Sequence, residues 1–95
     1  MSNNLGVLVS TEAMDAAALT AFARRLERLG YESLWLPELF GREPIATAGY
    51  LLGQTSTLKI ATGIANIYAR DAYAMAEARQ TLAELSSGRF ILGLG

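Results

Sequence analysis

Neither cysteine nor histidine occurs anywhere in the chain. The first absence excludes disulfide staples and thiolate metal sites. The second removes the commonest general base and the commonest metal ligand, and with them any serine-histidine triad built from this chain's own residues. Charge of one sign is missing too: eight Lys and Arg stand against nine Asp and Glu, scattered along the chain, for a net charge of -1. That balance leaves no electrostatic footprint for nucleic acid or an anionic membrane. The N-terminal MSNNLGVLVSTE lacks a basic leading region, and its apolar run falls well short of the roughly 7 to 15 residues of a signal-peptide core. The expectation is a cytoplasmic protein that binds no metal, nucleic acid or membrane.

What is present is apolar and periodic. With 52% apolar and 18% charged residues in 95 positions, the composition is that of one globular domain. An apolar run, a polar junction and a helical period repeat, reading β-α-β-α-β-α-β. The first run is LGVLVS, Leu5 to Ser10, and the helix after it sets Leu19, Phe22, Ala23, Leu26 and Leu29 on one face, with Gly30 at the C-terminal cap. The second run, SLWLPE, stops at Pro37; Glu43 and Pro44 then open a second helix. Its Ile45, Ala48, Gly49 and Leu52 fall on one side and Tyr50 and Leu51 on the other. A helix apolar nearly all round predicts cover beyond its own sheet. The runs LKIATGI and RFILGLG are nearly continuous in apolar residues, as in a parallel sheet buried by helices. Between them Asp71 is an N-cap, Met75, Ala78, Leu82 and Leu85 form a stripe, and SSG ends the helix.

Such a pattern builds either an open doubly wound sheet or a closed (β/α)8 barrel. A doubly wound nucleotide-binding domain needs a glycine-rich turn after its first strand, and VSTEAMD supplies none. Four strands are half of a barrel of about 250 residues. Its outer strands present unpaired backbone, which native proteins avoid. The expectation is an α/β fold forming the first four strands of a (β/α)8 barrel, completed by further chain or by a second copy. Barrel sites lie at the C-terminal strand ends, here Ser10, Glu38 with Leu39, Gly63 to Asn66, and Gly93 to Gly95. From the residues alone Gly63 marks an ordinary bulge with Ile64 in the core, Asn66 caps a turn, and Glu38 is solvated.

In GYESLWLPE, FGREP, TGIANIYARD and LAELSSGRFILGLG the chain resembles the luciferase-like monooxygenase superfamily, and within it the oxidoreductases that use the deazaflavin coenzyme F420. The likeness runs from Leu5 to Gly95, so that residues 1-95 match the N-terminal half of that family's barrel domain. It implies a bulge with a non-prolyl cis peptide at Gly63 and Ile64, whose isoleucine supports the back of the flavin ring. It also implies cofactor contacts from Asn66, from the carboxylate of Glu38 and from the bare backbone at Gly95, with Glu38 as the candidate catalytic group. Many relatives carry a proton-handling histidine where this chain has Leu39, and leucine transfers no proton. Tyr68, Arg70 and Asp71 are expected to shape the loop and start the next helix, with Arg70 free to meet an anionic group. The implied function is hydride transfer to or from a small organic substrate. The alternatives are an FMN-dependent monooxygenase of the same superfamily and a non-catalytic half-barrel that self-associates.

Overall fold

The computed structural model describes residues 4-95. Four short strands, β1 (Gly6–Leu8), β2 (Ser33–Leu36), β3 (Lys59–Thr62) and β4 (Phe90–Ile91), alternate with three helices, α1 (Ala16–Arg28), α2 (Pro44–Gln54) and α3 (Ala72–Leu85). All neighbouring strands are parallel and lie in the order β1-β2-β3-β4. A strand order that never reverses is the winding of a barrel wall, whereas a doubly wound sheet turns back at its switch point. The sheet is open, and β1 and β4 each have a neighbour on one side only.

Local chemistry sets the element ends. Asp15, Glu43 and Asp71 are the three N-caps, each accepting the backbone N–H three residues on, and Pro44 occupies the first turn of α2. Gly30, at φ 85°, follows the end of α1; its N–H meets the Glu27 carbonyl, and that of Tyr31 meets Leu26. This paired bonding is a Schellman cap. The same cap ends α3, but there Ser87, at φ 56°, takes the left-handed position and Gly88 the one after it.

The core lies between the sheet and the helices. Leu34 and Leu36 of β2 and Ile60 of β3 meet Leu19, Ala23 and Leu26 of α1 and Ala48, Leu51 and Leu52 of α2. Leu51 therefore sits on the buried side of α2, contrary to the face assigned from sequence. Pro44, Ala48, Leu51 and Leu52 form the stripe, which is the i, i+4, i+7, i+8 spacing of a helix packed on one face. Tyr50 is left outside, its hydroxyl 2.7 Å from that of Thr20 on α1, so α1 provides part of the cover expected for α2. Leu29 and Leu85 are exposed rather than joined to their stripes. Of the α3 stripe only Met75 is buried, while Leu82 lies beside Gly49 of α2.

Among the described residues, no helix is long and apolar enough to cross a membrane. Nor does any group of three or more His, Cys, Asp or Glu gather to hold a metal ion.

Candidate functional site

Strand alternation sends Leu34 and Leu36 into the helix-side core and Trp35 to the other face. There the indole N–H donates to the Ser33 hydroxyl at 2.8 Å. Gly6 and Gly63 leave room for the ring: a Cβ at Gly6 would come within 2.9 Å of the indole nitrogen, and one at Gly63 within 3.1 Å of its six-membered ring. The only tryptophan of the chain is thus fixed beneath the end of β3.

Beyond Thr62 the strand turns through a cis peptide between Gly63 and Ile64. The break leaves ladder groups to satisfy, and Thr62, fully buried, does so with its side chain. Its hydroxyl donates to the Gly93 carbonyl and accepts the Gly93 N–H, both at 2.9 Å. Pairing then resumes, with Ala65 donating to Gly93, Gly95 to Ala65 and Ile67 to Gly95. A Cβ at Gly93 would run into the Thr62 carbonyl oxygen, and one at Gly95 into the Ile64 side chain. Ile64 is 47% exposed, so it is not the core residue of an ordinary bulge.

Glu38 ties the ends of β2 and β3 together. Its N–H donates to the Ile64 carbonyl at 3.1 Å, and its Oε1 accepts the Asn66 N–H at 2.7 Å. Arg70 holds both carboxylate oxygens in a fork, at 2.8 and 3.0 Å, and also pairs with Glu43. The Arg70 hydrogen bonds, opposed by partial burial and reinforced by the Asn66 amide, hold the Glu38 carboxyl below the usual carboxylate range. Asn66 uses its own Oδ1 to accept the Tyr68 N–H at 2.9 Å, the turn-capping role weighed from sequence. Tyr68 is almost fully exposed, and Asp71 caps α3.

Several of these groups border an open cleft of about 420 Å³ lined by Pro37, Glu38, Leu39, Gly63, Ile64, Asn66, Tyr68 and Gly95. All five residues expected to contact a cofactor, Glu38, Gly63, Ile64, Asn66 and Gly95, fall on this one surface. Ser10 and Gly93 do not line it. A second hollow of about 510 Å³, bordered by Glu27, Tyr31, Glu32 and Lys59, lies at the opposite strand ends, the face that in barrels serves stability.

Comparison with known proteins fixes the family. The family model described as luciferase-like monooxygenase matches residues 1–95. The chain belongs to the luciferase-like monooxygenase family. A curated relative, the 5,10-methylenetetrahydromethanopterin reductase of Methanolobus tindarius, is 35% identical over 75 residues, covering 78% of this chain and 23% of its own. The coenzyme F420-dependent tetrahydromethanopterin reductase of Methanopyrus kandleri superposes over the whole chain with a TM-score of 0.87 at 23% identity, covering 27% of that protein. The oxygenating constituent of 3,6-diketocamphane monooxygenase from Pseudomonas putida, solved with FMN, gives 0.82 at 18% identity over the whole chain and 30% of its own. The chain therefore spans about a quarter to a third of the length of these luciferase-like relatives.

Three contributors escaped the sequence reading. Arg70 was assigned no partner, because Glu38 and Glu43 lie 32 and 27 positions away and no local spacing links them. Trp35 was read only as strand, and Thr62 only as part of an apolar run. A lone hydroxyl residue in an apolar run just ahead of a glycine is the one visible signal.

Proposed function

We propose that this chain forms part of the catalytic barrel of a deazaflavin-dependent oxidoreductase, with the cleft at the ends of β2, β3 and β4 receiving the planar ring of F420. The observation that carries the reading is the convergence of Ile64, Glu38, Asn66 and bare Gly95 on one cleft. The residues fit such a ring. Pro37, Leu39 and Ile64 offer apolar walls, Ile64 is exposed toward the cleft, and Gly95 keeps the rim free of a side chain that Ile64 would block. A bound deazaflavin supplies hydride transfer to or from a small organic substrate.

The chain's own residues orient and shield. Ile64 backs the ring, Pro37 and Leu39 exclude water beside it, and Asn66, with its Oδ1 engaged by Tyr68, has its amide NH2 to donate to a polar ring edge. Glu38 acts as an acceptor and anchor rather than as an acid, since Arg70 and the Asn66 amide keep it ionised at neutral pH. An ionised Glu38 can accept a proton but has none to give, and Leu39 can do neither.

Titration with F420 and with FMN, followed by quenching of Trp35, tests the reading. Saturable F420 binding is expected, and Ile64→Ala should weaken it roughly tenfold by removing apolar contact. Preference for FMN would favour a flavin monooxygenase, in keeping with the FMN-bound structural neighbour. Binding of neither ring would defeat both.

A further inference from the structure

Arg70 does not border the cleft; it lies behind the wall, on the side of a separate apolar groove between α3 and the end of β4. Its side chain is 17% exposed, and its guanidinium is paired with two carboxylates, one following β2 and one capping α2. A planar fork against both oxygens of one carboxylate fixes direction as well as distance. Glu38, so held, grips the corner on both sides: its N–H donates to the Ile64 carbonyl and its Oε1 accepts the Asn66 N–H. Force applied at Arg70 is thus delivered to residues 64 and 66, the floor and edge of the cleft. Without the guanidinium, Glu38 and Glu43 would face each other as uncompensated anions, and the Asn66 amide alone would hold Glu38.

We propose that Arg70 is a positioning residue for the cleft, acting through Glu38 to hold the Ile64–Asn66 corner in the arrangement that accepts a planar ring. The proposal rests on the reading of the cleft as a ring site. It requires Arg rather than Lys, because an ammonium is a point charge and cannot reproduce the fork.

The test is a double-mutant cycle on cofactor affinity in the full chain, read by Trp35 quenching, with folding checked by circular dichroism. Arg70→Met should raise Kd by at least about tenfold through loss of the charge-assisted bonds that orient Glu38, and Arg70→Lys should fall between it and the wild type. In a Glu38→Ala background, which leaves no side-chain acceptor at that position, the Arg70→Met penalty should fall well below its value in the wild type, because most of its effect passes through that carboxylate. Simple addition of the two penalties, or wild-type affinity in folded Arg70→Met, overturns the proposal while leaving the ring site standing. If Arg70→Met does not fold, Arg70→Lys carries the same cycle. Failure of the wild type to bind either ring removes the site and this proposal together.

Discussion

Glycines that look alike in the sequence do opposite work. Gly93 faces backbone: the added methyl of Gly93→Ala would press on the Thr62 carbonyl oxygen, which is held by the sheet and cannot swing aside. Gly53, in the last turn of α2, has nothing within 4 Å of the place its Cβ would occupy. Gly93→Ala should destabilise by about 1–3 kcal/mol through overpacking. Gly53→Ala should stabilise by about 0.5–1 kcal/mol by restricting the unfolded chain. Urea denaturation of the two variants checks both signs, and equal effects would show that crowding at Thr62 is not what excludes a side chain from position 93. The same scale shows why part of the site was legible. Gly63, Ile64, Asn66 and Gly95 lie at strand ends, which the βα pattern marks as a barrel rim, but their joint use for a cofactor was implied only by the family resemblance. Arg70 acts through Glu38 and Glu43 in the segment between β2 and α2, and Trp35 lies against Gly6 and Gly63; both sets of neighbours are distant in sequence, and local spacing does not reveal them.

At the level of elements, helix caps were readable because their chemistry is local: Asp71, Glu43 with Pro44, and Gly30 sit where side chain or φ demands. Helix faces were less so, as Leu51 shows, since neighbouring helices decide which part of an apolar surface is covered. The joint between α1 and β3 was not foreseen at all. Glu27, in the last turn of α1, accepts with one oxygen the N–H groups of Ser56, Thr57 and Leu58 at 2.8, 2.5 and 2.8 Å, and the Thr57 hydroxyl at 3.1 Å. Burial alone would raise its pKa, but the combined hydrogen bonds from Thr57, Leu58 and Ser56 win and hold it below the ordinary value of 4.5. A depressed folded-state pKa means that the unfolded chain binds the proton more readily. The contribution is therefore complete above the unfolded pKa and disappears as pH falls through the folded one. Glu27→Gln should cost about 1–3 kcal/mol at neutral pH, with the gap to wild type closing progressively below about pH 4.3. Stability curves for both proteins from neutral to acid pH provide the measurement; a gap constant across that range would mean that the charge of Glu27 contributes nothing.

For the molecule as a whole, the α/β class and the parallel strands followed from three repeats of one pattern, because crossover connections leave few other topologies, whereas the choice of a barrel over a doubly wound sheet needed the missing glycine-rich turn, the bare edges and the family resemblance. How the sheet is closed is a separate question, decided by its edges. Among the described residues β1 and β4 each lack a second neighbour, and both edges carry apolar side chains in the open: Leu5 and Leu8 at one, Ile67 and Leu94 at the other. Charge does not protect them, for no Lys or Arg lies in Gly6–Leu8 or Phe90–Ile91, although lysine is a common blunting device on natural edges. A four-stranded wall of this kind gains by pairing its edges with further strands, whether from additional chain or from a second copy that brings the total to the eight of a barrel. The 95-residue chain alone should accordingly sediment as more than a monomer at micromolar concentration. Leu8→Lys, which places a charge on the β1 edge away from the helix-side core, should move the population toward monomer while helical content stays constant. A compact wild-type monomer under the same conditions would show that the exposed strands are tolerated in water, and the case for closure by a second copy would fail without touching the assignment of the cleft.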